Sequence, residues 1–378
     1  MASTVGLRVL AIGDTHFRAS HLEQGEDLVS NLLRIARKER PDLIVLLGDT
    51  LHDFDVVSNL PFQQACRLIL GLGDIAETYV IIGNHDLINS SQYLTSNHFF
   101  GYLNYDRVHV IDYPALISIK RIPFVFCPFT PPGRFVETLD DTLGRKFWTK
   151  AKCIFTHQDL THSRESIPGR VQDWWDPLEY PSVISGHIHT PYSSKNIHYP
   201  GSAIQVNFGE APNKRVWLVT FERNVPGMRI RKIPTGVKGK SELVLPLVKV
   251  TRRKVDSILI LSKESYIKLK VECTVPQFNA FKKSVAYKSL LSAEVVVVRA
   301  PERRVASEAP ESRVTPERKS TYETKSDKSK TKTNKAAPKV KSLEELFREI
   351  VYTKSKDVVR AYEETYETSP PKSKKIIT

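Results

Sequence analysis

The chain has 378 residues, 40% of them hydrophobic, and 56 Lys and Arg against 42 Asp and Glu give a formal net charge of +14. That length is too great for one ordinary domain and suits two domains plus a tail. The basic balance favours a polyanionic partner such as nucleic acid, no apolar stretch is long enough to span a bilayer, and the cysteines are too scattered to form a disulfide scaffold.

Leu7–Ile12, residues 43–47 and residues 79–82 are short, apolar and β-branched, and they read as buried strands. Between the first two, residues 27–40 carry Leu28, Leu32, Ile35 and Ala36 at helical spacing, and Pro41 marks the break before the next strand. This βαβα order continues to about Phe221. Cys66, Cys127, Cys153 and Cys273 sit in or beside apolar runs, as small core residues of a reducing compartment do. The first apolar run leads into Gly13-Asp14 rather than a cleavage site, so a soluble intracellular protein is expected.

A second unit is expected over residues 233–300. Ile267, Leu269, Val271 and Cys273 alternate with Lys268, Lys270 and Glu272, as in a strand with one buried face. Residues 276–291 read as a helix with Phe278, Phe281 and Val285 on one side, and residues 294–299 as another strand. Residues 301–341 hold almost no large apolar side chain and are expected to be disordered. Ser342-Leu343-Glu344-Glu345 is then a capping box. Leu343, Leu346, Phe347, Ile350 and Val351 form an apolar stripe, making residues 342–378 a helical tail of one helix or two. Such a stripe fits a partner's groove, or its own domain. The Lys-rich run 325–341 reads as a solvated linker or a nonspecific phosphate contact.

Five apolar runs end in side chains that bind metals: Asp14-Thr15-His16, Gly48-Asp49, Gly83-Asn84-His85-Asp86, His157-Gln158 and Gly186-His187-Ile188-His189. Active sites of α/β folds lie at the carboxyl ends of strands, where these clusters fall. Two-metal phosphoester hydrolysis needs a carboxylate shared by both ions, with imidazoles and oxygens completing each shell. Asp49 is the natural bridge. Asp14, His16 and His189 are assigned to one ion, and Asn84, His157 and His187 to the other. An alternating Gly186-His187-Ile188-His189 in an extended segment is expected to let the two histidines approach neighbouring ions. His85 is left over as the proton donor to the leaving oxygen, with Asp86 beside it to orient the ring.

This constellation resembles the calcineurin-like metallophosphoesterase family over residues 7–221, and the resemblance implies a two-sheet sandwich flanked by helices. A narrower resemblance is to the SbcD-type nuclease of double-strand-break repair. It rests on His52 after Gly48-Asp49, on His157-Gln158, on the Pro200-Gly201-Ser202 turn and on the layout of the second unit and tail. It implies a nuclease domain over 1–232, a DNA-capping domain over 233–300, and a linker and tail that dock on an SMC-like ATPase. It further implies a homodimer, two Mn2+ ions, exonuclease and endonuclease cleavage of DNA, and His52 positioning the substrate strand; otherwise His52 is a supporting or surface histidine. Two other readings of the same motifs are a phosphomonoesterase or small-molecule phosphodiesterase, and a non-catalytic metal scaffold, for which an intact His85 has no use. Arg145-Lys146-Phe147-Trp148 and Trp174-Trp175 read as core or loop anchors, or as a flank for DNA.

Overall fold

The computed structural model describes residues 6–301, apart from 55, 104 and 162–172. The linker expected beyond 301 and the helical tail expected over 342–378 therefore lie outside the described residues.

The chain opens with β1 (Leu7–Ile12), α1 (Leu22–Glu39), β2 (Leu43–Leu46), α2 (Asn59–Gly73), β3 (Glu77–Ile81) and β4 (Val108–Ile111). It continues through β5 (Ala115–Ile119), β6 (Ile122–Phe126), α3 (Phe135–Leu143), α4 (Arg145–Trp148), β7 (Cys153–Thr156), β8 (Leu160–Thr161), β9 (Asp173–Trp174) and β10 (Ser182–Ser185). Then come β11 (Tyr192–Ser194), β12 (Ile197–Tyr199), β13 (Arg215–Phe221) and β14 (Arg229–Pro234). One sheet has the order β14-β13-β1-β2-β3-β4 and the other β11-β12-β10-β7-β6-β5. β1 to β4 are mutually parallel, and so are β6, β7 and β10.

Strand alternation explains the layering. Val9, Ala11, Val45, Tyr79 and Ile81 face Phe124, Phe126, Phe155 and Ile184 of the other sheet in one buried cluster. The residues between them, Leu10, Ile12, Ile44, Leu46 and Val80, turn outward onto Leu28, Leu32, Ala65 and Leu68 of α1 and α2. On the far side Val125, Ile154 and Val183 pack under Phe135, Leu139, Trp148 and Trp175. The result is the expected sandwich of two sheets with helices outside. α1 begins five residues earlier than its apolar spacing suggested. It ends at Arg40, which takes a left-handed φ of 45° before Pro41. Trp148 and Trp175 are buried, and the Trp148 indole donates to Asp140, so neither ring flanks a ligand.

The second unit comprises β15 (Gly239–Pro246), α5 (Arg252–Ser262), β16 (Ser265–Glu272), α6 (Val275–Phe281), α7 (Val285–Ser292) and β17 (Val296–Ala300). Its three strands are parallel in the order β15-β16-β17, around Ile258, Leu269, Val271, Phe278 and Leu290. β14 belongs to the first sheet and carries the larger body to Pro234, two residues past 232. β15 was not foreseen because its burial alternates only partly. The single helix expected over 276–291 is two. Thr274 and Gln277 form a capping box at the head of α6, and Ser284 interrupts the helix and caps α7. Two glutamines pin the unit to the larger body. Gln205 Nε2 donates to the Lys240 carbonyl (3.0 Å) while its Oε1 accepts from the Lys240 amide (2.6 Å), and Gln24 donates to the Lys238 carbonyl. No helix among the described residues is long and apolar enough to cross a membrane.

Candidate metal centre

Parallel strands deliver their loops to one edge, so the turns after β1, β2, β3, β7 and β10 converge. The first-sheet turns are laced by backbone bonds: the His16 amide donates to the Asp49 carbonyl (3.0 Å) and the Phe17 amide to that of Thr50 (2.9 Å). His16, Asp49 and His187 all adopt left-handed backbone, at φ of 45°, 48° and 77°. Such conformations cost of order 1–3 kcal/mol each and collect at functional sites. The turn at His187 ends the strand alternation and sends His187 and His189 in different directions. Gly48, at φ 91°, is confined to glycine twice over, since a Cβ there would lie 2.7 Å from Cγ of His157.

Asp14, His16 and His189 hold their ligating atoms within 4.8 Å of one another, and so do Asp49, His157 and His187. Asp49 lies between the groups: Oδ2 is 3.8 Å from His16 Nε2, and Oδ1 is 3.3 Å from His157 Nε2. Asn84 Oδ1 meets His157 Nε2 at 3.1 Å and His187 Nδ1 at 2.9 Å. Across the centre, Nε2 of His16 faces Nε2 of His189 at 2.9 Å.

These residues fit a pair of divalent cations. His157 donates from Nδ1 to the Leu47 carbonyl (2.6 Å), so in the neutral ring Nε2 carries the lone pair, yet Nε2 faces two oxygen acceptors. Only a proton or a cation satisfies that arrangement. Asp14 Oδ2 is buried without a hydrogen-bond partner, which is costly unless something electropositive completes it. Imidazole with carboxylate and amide oxygen suits Mn, Fe or Zn.

The electrostatics agree. Burial alone would raise the Asp49 carboxyl, but His157, His16 and His85 hold it well below the usual range. Burial likewise opposes charge on His157, but Asp49 and then Asp14 overrule it and raise the ring to about 9. Burial, then His157, lowers His187 to about 4, while burial, followed by the Asp49 charge, raises Asp14. Without a cation, the cluster keeps a proton on His157.

His85 stands beside both groups, with Nε2 4.0 Å from Asp49 Oδ2. Its Nδ1 donates to the His52 carbonyl (2.5 Å), its ring stacks on Phe54 at 4.2 Å, and its backbone amide donates to Asp49 Oδ1. Asp86, expected to orient this ring, does not. Its buried carboxylate accepts from the backbone amides of Thr50, Leu51 and Gly83, tying the β2 and β3 turns together. Burial, with Asp49 nearby, pushes it up to about 7. The neighbour that fixes His85 is thus a main-chain oxygen, which no residue pattern reveals. His52 lies with Nδ1 3.2 Å from His16 Nδ1, and its Nε2 accepts from Arg18 at 3.0 Å. Gln158 donates to Thr130 and shapes the wall without reaching the centre.

The sequence reading missed Glu210 and Lys214. Glu210 Oε1 accepts from His189 Nδ1 at 3.0 Å, and its Oε2 accepts from the nearly buried Lys214 ammonium at 2.7 Å and from the Val206 amide at 3.1 Å. Burial opposes charge on Glu210, yet His189 and Lys214 lower it to about 2. Backing a ligand histidine with a carboxylate fixes its tautomer and raises its basicity. In sequence the pair reads as an ordinary surface loop.

The calcineurin-like phosphoesterase (Metallophos) family matches residues 7–191. The protein named "Putative phosphoesterase 244L" of Invertebrate iridescent virus 6 is 34% identical over 284 residues, which cover 73% of this chain and 98% of the viral one. "Putative phosphoesterase 078R" of Invertebrate iridescent virus 3 is 31% identical over 296 residues, covering 75% of this chain and 81% of that protein. Among solved structures, the E. coli phosphoesterase Yfce aligns with 60% of this chain and 99% of its own at 10% identity. Its TM-score of 0.29 is too low to carry weight.

Proposed function

The chain belongs to the calcineurin-like phosphoesterase family of metal-dependent hydrolases, and from that premise we propose that it is a two-metal DNA nuclease, an exonuclease and endonuclease on phosphodiester bonds. Two cations, when bound, would acidify a water and neutralise phosphoryl oxygens. The chain's own residues do the rest. Asp49 separates and orients the two ligand groups. His85, its Nδ1 proton committed to the His52 carbonyl, presents Nε2 to the centre as the donor of a proton to the leaving oxygen. His52 borders the route of the substrate strand.

The observation that carries DNA over a small ester is the three-stranded unit pinned beside the centre through Gln205 and Lys240. A small-substrate esterase has no use for it, nor for a net charge of +14. The same reading makes manganese the working metal and a homodimer the working form. It places the protein at DNA, in repair, recombination or end processing, with residues 342–378 engaging an SMC-like ATPase. The test is cleavage of an end-labelled linear duplex by the full chain in manganese, with and without chelator, beside an aryl phosphate monoester. Chelator-sensitive cutting of the duplex is expected. Turnover of the monoester with the duplex left intact would establish the small-phosphoester reading instead.

A further inference from the structure

The flank of the centre beside His16 gathers cations. Arg18 Nη1 donates to His52 Nε2 (3.0 Å), Nη2 to the Val206 carbonyl (2.7 Å) and Nε to His21 Nδ1 (2.5 Å). None of these partners is a carboxylate; Asp53 and Glu210 act on the guanidinium only at longer range. The Val206 carbonyl also receives the ammonium of Lys240 (3.0 Å), a buried residue of β15. Two cations from different parts of the fold thus share one neutral oxygen. The crowding shows in Lys240, which burial and then Arg18 push down to about 8. Like charges held this way are relieved by an anion. The opposite flank has the other sign: a 280 Å3 cleft beside Asn84 and His187 is lined by Asp159 and Asp173.

We propose that Arg18, with Lys240 behind it, is the subsite for a second phosphate of the substrate, next along the chain from the one being cut. Arg18 lies one imidazole ring beyond His16 and is therefore placed for a neighbour of the reacting phosphorus. A nucleic-acid strand carries one charge per ~3.4 Å of axis, so it supplies such a neighbour, whereas a lone ester does not. The guanidinium fork suits phosphate oxygens better than an ammonium does. The acidic cleft opposite sets a direction, with the phosphate-bearing side of the strand over Arg18. This inference rests on the nuclease reading and names the feature by which the site prefers polyphosphate chains.

The test compares the full-length wild type with Arg18→Gln and Arg18→Lys. Binding of a fluorescent single-stranded oligonucleotide, with calcium in place of manganese, is followed across salt concentrations. Turnover of the oligonucleotide and of a bis-aryl phosphate diester, which holds one phosphorus, is measured in manganese. In Arg18→Gln the slope of log K against log salt should flatten by about 0.7, the share of one single-strand phosphate contact. The ratio of kcat/KM for oligonucleotide over diester should fall at least tenfold, mostly through KM. Arg18→Lys should restore the salt slope. An unchanged slope and ratio in Arg18→Gln would overturn the subsite, as would equal losses on both substrates, which would mean that Arg18 acts through His52. If the wild type itself neither bound nor cut the oligonucleotide, the nuclease reading would fall and take the subsite with it.

Discussion

Glu210→Gln separates the two metal positions. The substitution keeps shape and an acceptor for His189 Nδ1 but removes the charge. A hydrogen bond to a charged group contributes roughly 1.5–3 kcal/mol and a neutral one about 1. The difference of about 0.5–2 kcal/mol corresponds to a weakening of roughly 2- to 30-fold, at ~1.4 kcal/mol per factor of ten. It should fall on the position built from Asp14, His16 and His189, because only His189 leans on Glu210. The other position has its own support in the Leu47 carbonyl behind His157 and should not change. Lys214 keeps Ser202 Oγ at 2.8 Å and the His189 carbonyl at 3.2 Å, so the fold should survive. Manganese titration by calorimetry, with EPR to resolve two classes of ion, reads both constants, and a melting curve of the metal-free variant checks folding. Activity should return when manganese is raised to saturation. Two wild-type constants, or two constants weakened alike, would refute the reasoning.

His85→Asn can still donate to the His52 carbonyl but cannot pass a proton on, so manganese should bind normally while kcat drops by about 10²–10⁴; turnover near wild type would remove His85 from the reaction. Asp49→Ala deletes the carboxylate between His16 and His157 and should empty at least one position, read as ions bound per chain. Manganese uptake should expel a proton from His157, whose metal-free ring is raised to about 9. The sign is fixed: below about pH 9 the proton competes, so affinity should climb with pH and level off above it. Calorimetry in buffers of different ionisation enthalpy counts the released proton, and an affinity that fell as pH rose through this window would contradict the assignment.

Much of the centre was readable because each ligand cluster ends an apolar run, and a strand must stop where its side chains turn polar. The order of those runs also gave the parallel strands and the helices covering them. What could not be read has a common physical cause: it depends on backbone groups or on partners distant in sequence. The carbonyls of Leu47 and His52 orient two histidines, and a carbonyl leaves no signature in the identity of its residue. Asp86 looked like a ring-orienting neighbour of His85 because adjacency in sequence suggests contact, but the tight turn points the two side chains apart. Glu210 meets His189 across 21 positions of sequence, with β11 and β12 between them. In the second unit, β15 was hidden by its partly exposed face, and the break between α6 and α7 turns on Ser284 alone.

Asp86 has an effect beyond its own position. Because three main-chain amides from two turns converge on one carboxyl group, the mouth of the cluster is braced by bonds that no ion has to supply. Cations then arrive at a rigid mould rather than at loose segments that must close around them. Loading then asks little of these two turns, and how much of this protein is armed follows the supply of free divalent metal.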